Sequence, residues 1–183
     1  MNRQKKSEGN YKDGKEDGLW TYWGYGLNGM EREEGTYKDG EKDGLWTGWY
    51  SNGQKESEIT YKDGKEDGLW TKWWYGNGMK SKEGTYKDGE KDGLWISWYS
   101  NGQKKSEITY KGIDDYRNLI KDGKWTWWYR NGKKKYEETY KDGKKHGLFT
   151  DWWENGHKKF ESTYKDGKVD GLYTEFDKNG QKF

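Results

Sequence analysis

The chain has 183 residues and a formal charge of +2, from 35 basic and 33 acidic side chains interspersed along it. It is 28% hydrophobic, supplied mostly by 14 Trp, 16 Tyr and 4 Phe, and it contains no Cys and no Pro. This excludes disulfides and thiolate chemistry, an apolar run of the roughly 20 residues a membrane span needs, and the clustered basic face that a phosphate backbone requires.

The first residues, NRQKKSEGNY, read as the second half of a repeat whose fuller form is NGQKKSEITY later in the chain. Residues 1–10 are therefore expected to be a partial unit, with an upstream segment such as a leader preceding them. On that basis the expected location is cytoplasmic, or secreted or at the cell surface if a leader is removed.

From Tyr11 onward the segment YKDG recurs at Tyr37, Tyr61, Tyr86, Tyr140 and Tyr164, with a degenerate copy at Tyr110. The steps are 26, 24, 25, 24, 30 and 24 residues, so units start near 11, 37, 61, 86, 110, 140 and 164. The expected domain is a single repeat array over 1–183. Periods of this length mark repeat architectures in which each unit buries its apolar face against its neighbours.

Within a unit the chemistry is that of a β-hairpin. Asp-Gly and Asn-Gly are strong turn signals, because both residue types accept positive φ at little cost. Between the turns lie short runs rich in Trp, Tyr and Thr, which suit a pleated, half-buried surface. In the second unit this predicts a strand over Leu45–Tyr50, a turn at Asn52-Gly53, a strand over Glu56–Tyr61 and a turn at Asp63-Gly64, with a further Gly turn before Leu45. No apolar period of 3.6 residues appears, so no helix is predicted.

Alternation sorts the side chains onto two faces. Leu45, Thr47 and Trp49 share one face of the first strand, and Trp46 and Tyr50 share the other. Glu58 and Thr60 lie opposite Ile59 and Tyr61 on the second strand. The fold class is all-β: an elongated, solenoid-like, single-layer antiparallel sheet of about seven stacked β-hairpin repeats. Fourteen strands about 4.8 Å apart would span roughly 65 Å.

These units, of the form Y-K-D-G-K-x-D-G-L-W-T-x-W-Y-x-N-G-x-K-x-x-E-x-T, resemble MORN repeats, in particular the bacterial variant of the YwqK-family antitoxins. The unit YKDGKKHGLFTDWW from Tyr140 comes nearest to the MORN core. The resemblance implies a curved sheet of successive hairpins. It also implies a non-catalytic platform for proteins or, in some cases, membranes, and the antitoxin label implies a partner toxin.

Catalysis needs irregular residues converging in one pocket. Here the only His are His146 and His157, both at turns, and the Glu of each unit recurs as a ladder, so no enzyme activity is expected. Asp-Gly pairs such as Asp13-Gly14 and Asp17-Gly18 superficially fit Ca²⁺. Calcium wants six to eight oxygens, however, and Asp before Gly is the ordinary turn residue, so neither metal nor other cofactor is expected.

Two features are candidates for partner binding. Trp20, Trp46, Trp70, Trp95 and Trp125 recur at one strand position, either as the core or as an exposed strip for a protein or a stacked sugar. The unit from Tyr110 breaks the pattern with an insertion carrying Ile113, Asp114, Asp115, Tyr116, Arg117, Leu119 and Ile120; it is either a drifted surface loop or a binding element. The expected partner is a protein, in the antitoxin case a toxin, with cell-surface glycan as the rival. The chain itself is expected to be a monomer or an edge-paired dimer.

Overall fold

The computed structural model describes residues 5–26, 29–114, 116 and 118–183. The chain divides into two compact units, Met1–Glu90 and Lys91–Phe183. The first holds β1 (Ser7–Lys12), β2 (Lys15–Gly26), β3 (Gly29–Lys38), β4 (Glu41–Trp49), β5 (Lys55–Lys62), β6 (Lys65–Trp73) and β7 (Lys80–Lys87). The second begins with β8 (Glu90–Trp98), followed by β9 (Lys104–Ile113), β10 (Leu119–Lys121), β11 (Gly123–Trp128) and β12 (Lys134–Lys141). It ends with β13 (Lys144–Lys145), β14 (Gly147–Trp152), β15 (Lys158–Lys165) and β16 (Lys168–Glu175). Among the described residues the strands within each unit pair antiparallel in chain order, with β10 pairing β9 and β13 pairing β12. No helix occurs among the described residues.

The turns explain the regularity. Asp63 has φ 47° and Gly64 φ 75°, and five other Asp-Gly turns have the same pair of positive values. Positive φ at both central residues suits a tight two-residue hairpin, whose backbone twist matches that of the flanking strands. The turns also lean on one another: the Gly64 amide donates to the Lys42 carbonyl at 3.0 Å, and Gly40 to Glu16 at 2.9 Å. At the other end of the hairpins, Asn101 Nδ2 donates to the Arg130 carbonyl at 2.9 Å and Asn131 Nδ2 to the Glu154 carbonyl at 3.0 Å. Each of these Asn also accepts, at Oδ1, the amide two residues on.

The strands are longer than the aromatic runs alone suggest. The expected turn before Leu45 is not a turn. Gly44, at φ 79°, sits inside β4, where the β3–β4 register shifts between Glu34 and Thr36. A left-handed Gly lets extra residues enter one strand as a bulge without ending it. The ladder on the other side of β4 runs on, pairing Gly44 with Tyr61, Leu45 with Thr60, Trp46 with Ile59 and Thr47 with Glu58. That register places Trp46 and Ile59 on one face and Leu45, Thr47 and Glu58 on the other, as alternation predicts.

The bulge is where the core forms. Trp46 is 1% exposed and packs with Trp20 and Ile59, bordered by Tyr22, Tyr37, Tyr61, Trp70 and Tyr86. Its indole ring lies over Gly35, so close that a Cβ there would fall 2.2 Å from the ring. Tyr37 meets it edge-on at 5.1 Å, and the Lys42 ammonium caps it at 3.7 Å from the ring centre. A sheet face thus buries a large aromatic without a second layer: backbone below, tyrosine edges beside, a lysine stem above. Burial of one such ring contributes about 4–6 kcal/mol at 25 cal/mol per Å².

The second unit repeats the arrangement with Trp95, Trp125 and Tyr140 buried. Lys91, Lys121 and Lys145 cap Trp95, Trp125 and Phe149 at 4.2, 4.3 and 4.8 Å.

Candidate functional site

The tryptophan row named from the sequence divides sharply from the rest of the surface. Trp20, Trp46, Trp95 and Trp125 are buried and Trp70 is half-buried against the same cluster. Of the two readings the row allowed, the core is what the fold builds: tyrosine rings flank Trp20, Trp46, Trp70 and Trp125, and lysines cap Trp46, Trp95 and Trp125.

The opposite face is the open one. On the first unit Leu19, Leu45 and Leu69 are 56%, 54% and 56% exposed. Beside them runs a row of Thr and Glu: Thr47 and Thr71 are buried, and Glu58 stands across from both. Beyond that lies a half-buried row, Trp23, Trp49 and Trp73. Arg32 covers the Trp49 ring at 3.9 Å, and Lys55, ion-paired with Glu58, reaches towards Trp73 at 5.9 Å. The second unit carries exposed Leu94, Leu148 and Leu172 at the same strand position. Their neighbour in sequence register is Lys124, which ion-pairs with Glu137 at 2.9 Å.

A cleft of about 380 Å³ opens here, lined by residues including Leu94, Glu107, Thr126, Trp128 and Glu137. Burial alone would raise the Glu137 carboxyl, but hydrogen bonds from Lys124 and Lys134 outweigh it and hold the group below the usual range. The leucine row was the signal the sequence reading passed over: Leu follows the second Gly in six of the seven units.

The insertion near Tyr110 contributes a short strand. β10 pairs back on β9, with Leu119 opposite Ile113 and Lys121 opposite Tyr110. At its tip the Asp114 carboxylate accepts the Asn118 amide at 2.8 Å, the Asn118 side chain at 3.1 Å and the Tyr116 amide at 2.9 Å. Those bonds, the Asn118 amide foremost, keep the Asp114 carboxyl below its ordinary value. Tyr116 is 87% exposed, Leu119 is exposed, and Ile113 and Ile120 are half-buried. Asp115 and Arg117 lie outside the described residues.

His146 and His157 are placed by the backbone. The His146 amide donates to the Thr139 carbonyl at 2.9 Å, and the His157 ring Nδ1 lies 3.0 Å from the Lys178 carbonyl. Among the described residues no group of three His, Cys, Asp or Glu could hold a metal ion. No helix there is long and apolar enough to cross a membrane.

The lysine caps mark a subset of hairpins, and it is these that comparison picks out. Four segments match the MORN repeat variant: residues 42–63, 91–111, 121–142 and 145–166. Each MORN match begins at a capping lysine: Lys42, Lys91, Lys121 or Lys145. The first and third units carry Glu16 and Glu66 at that position, and the last carries Val169. MORN repeats are commonly non-catalytic modules that bind proteins or membranes. No curated protein matches the chain.

Proposed function

We propose that this chain is a non-catalytic protein-interaction scaffold that neutralises a partner protein, in the manner of an antitoxin acting on a toxin. The observation that carries this reading is the leucine row, left half-exposed on a sheet whose other face buries Trp20, Trp46, Trp95 and Trp125. Exposed apolar rows rimmed by charge mark interaction surfaces. The insertion supplies a second contact point, since it leaves Tyr116 87% exposed beside the Asp114 carboxylate.

The test is co-expression with the product of the adjacent gene, reading growth and co-purification. The native chain is expected to restore growth and to co-purify with that product. Leu45→Glu with Leu69→Glu, or replacement of residues 112–124 by the turn of the Tyr140 unit, is expected to abolish both. Growth and capture unchanged in both variants would reject the leucine face and the insertion as the site.

A second reading has one observation in its favour: Trp23, Trp49 and Trp73 are half-exposed in a row, as rings that stack on sugars are. Sedimentation with insoluble cell-wall glycan, lost in Trp49→Ala with Trp73→Ala but kept in the leucine variant, would favour it.

A further inference from the structure

The charge of the chain is unevenly placed. Residues 1–90 carry 15 basic against 18 acidic side chains, and residues 91–183 carry 20 against 15, giving formal charges of −3 and +5. Much of the excess in the second unit sits in one position of the repeat, five residues before the repeat Tyr. There the second unit has Lys105, Lys135 and Lys159, where the first has Lys6, Arg32, Glu56 and Ser81.

These lysines stand beside aromatic rings at the Asn-Gly ends of the hairpins. Lys105 and Arg130 lie 5.9 and 5.8 Å from the Tyr99 ring, Lys135 lies 5.8 Å from Tyr129, and Lys159 and Lys178 lie 5.1 and 5.4 Å from Trp153. The rings are fixed by their polar ends: Tyr99 and Tyr129 donate to the Trp128 and Trp152 carbonyls at 2.9 and 2.8 Å, and Trp153 Nε1 to Phe176 at 3.3 Å. Lys159 is ion-paired with Asp151 at 3.2 Å. Among the described residues, Lys105 and Lys135 have no anionic partner, and both are exposed. The result is a strip of cations over a rigid aromatic shelf, with Asp151 and Glu154 as the nearby carboxylates.

The spacing bears on what fits. Equivalent positions in successive hairpins are two strands apart, about 10 Å. A nucleic acid duplex carries one charge per about 1.7 Å, so a few cations at that interval neutralise too little of it for tight binding. An acidic helix matches better, since carboxylates at i, i+7 and i+14 recur every 10.5 Å or so along one face. We propose that this strip docks an acidic segment of a partner protein, with carboxylates on one helix face set against Lys105, Lys135 and Lys159. The proposal rests on the reading of the chain as a protein-binding scaffold and names the chemistry of a second contact, separate from the leucine row.

The probe is a labelled 21-residue helical peptide with Glu at every seventh position and otherwise Ala and Gln, read by fluorescence anisotropy in low salt. The native chain is expected to bind it at least tenfold more tightly than the same peptide with Gln in place of Glu. Lys105→Gln with Lys135→Gln is expected to weaken binding fivefold or more, and the Lys→Arg pair to retain it. Lys62→Gln with Lys87→Gln removes equal charge from exposed turns of the first unit and is expected to change binding less than twofold. Equal weakening by both Gln pairs would reduce the effect to overall charge and overturn the proposal. So would indifference to Glu against Gln, or tighter binding to a 20-residue oligothymidylate or to phosphatidylserine vesicles. Such a failure leaves co-purification through the leucine face untouched, so the two readings fall separately.

Discussion

The indole N–H of Trp46 donates to the backbone carbonyl of Thr36 at 3.0 Å, at the step where the β3–β4 ladder breaks. Trp20 makes the same bond to Asn10 at 3.1 Å and Trp125 to Thr109 at 2.8 Å. The side chain that fills the core thus also occupies the hydrogen-bonding gap the bulge opens. Trp46→Phe keeps an aromatic ring, smaller than the indole, and loses the donor, so it should cost about 1–3 kcal/mol. Trp46→Ala loses both and should cost about 3–5 kcal/mol. Urea unfolding of the full chain separates the two; a Trp46→Phe variant as stable as the native chain would mean that the bond contributes nothing.

Gly35 is required by the ring above it rather than by its own backbone. A Cβ at Gly35 would meet the Trp46 ring at 2.2 Å, whereas a Cβ at Gly24 meets nothing within 4 Å. Gly35→Ala should therefore destabilise by about 1–3 kcal/mol, and Gly24→Ala by much less. A thermal melt of each variant against the native chain checks the difference.

At Asp63 the demand is on the backbone, with φ at 47°. Asn tolerates the left-handed region and Val does not, so Asp63→Asn should be near neutral while Asp63→Val costs about 1–2 kcal/mol. Melting temperatures of the two variants, with circular dichroism to confirm the fold, decide it.

Alkali should unfold this sheet. Burial pushes the hydroxyls of Tyr61, Tyr86, Tyr110 and Tyr140 above the ordinary phenol value, with Glu66 adding to the rise at Tyr61 and Tyr86 and Glu138 at Tyr140. A raised folded pKa means that the protonated form is preferred in the folded state. The stability it confers is complete below the unfolded value of about 10 and is lost as pH rises through the higher folded values. Phenolate absorbance should therefore lag behind that of free tyrosine and then rise together with loss of the circular dichroism signal. Titration of every phenol, these four included, with the fold intact would contradict this.

Much of this was legible in the sequence because the turns are explicit. Asp-Gly and Asn-Gly fix the hairpins, alternation fixes the faces, and Trp46 falls on the face it was assigned. Gly44 was harder: Asp-Gly reads as a turn, and only the ladder around it shows a bulge inside β4. The openness of Leu45 against the closure of Trp46 was not legible either. It depends on the Lys42 cap and the Tyr37 edge, side-chain contacts within one unit that alternation alone does not reveal. The arm at β9–β10 was visible as an interruption, but the hydrogen bonds between Asp114 and Asn118 were not.

The stacked Asn-Gly ends carry a chemical consequence. Asn-Gly is the dipeptide most prone to deamidation, in which the Gly amide nitrogen attacks the Asn side-chain carbonyl and ammonia leaves through a cyclic imide. In the second unit that attack is blocked at both partners. The Asn101 side chain is held by Arg130 and Gln103, and the Gly102 amide is engaged with the Tyr99 carbonyl at 2.9 Å. Asn131 and Gly132 are held in the same way by Glu154, Lys133 and Tyr129. The same packing that aligns the hairpins therefore slows the hydrolytic ageing of these dipeptides, and peptide mapping should find isoaspartate at Asn101 and Asn131 forming faster in urea than in the folded chain.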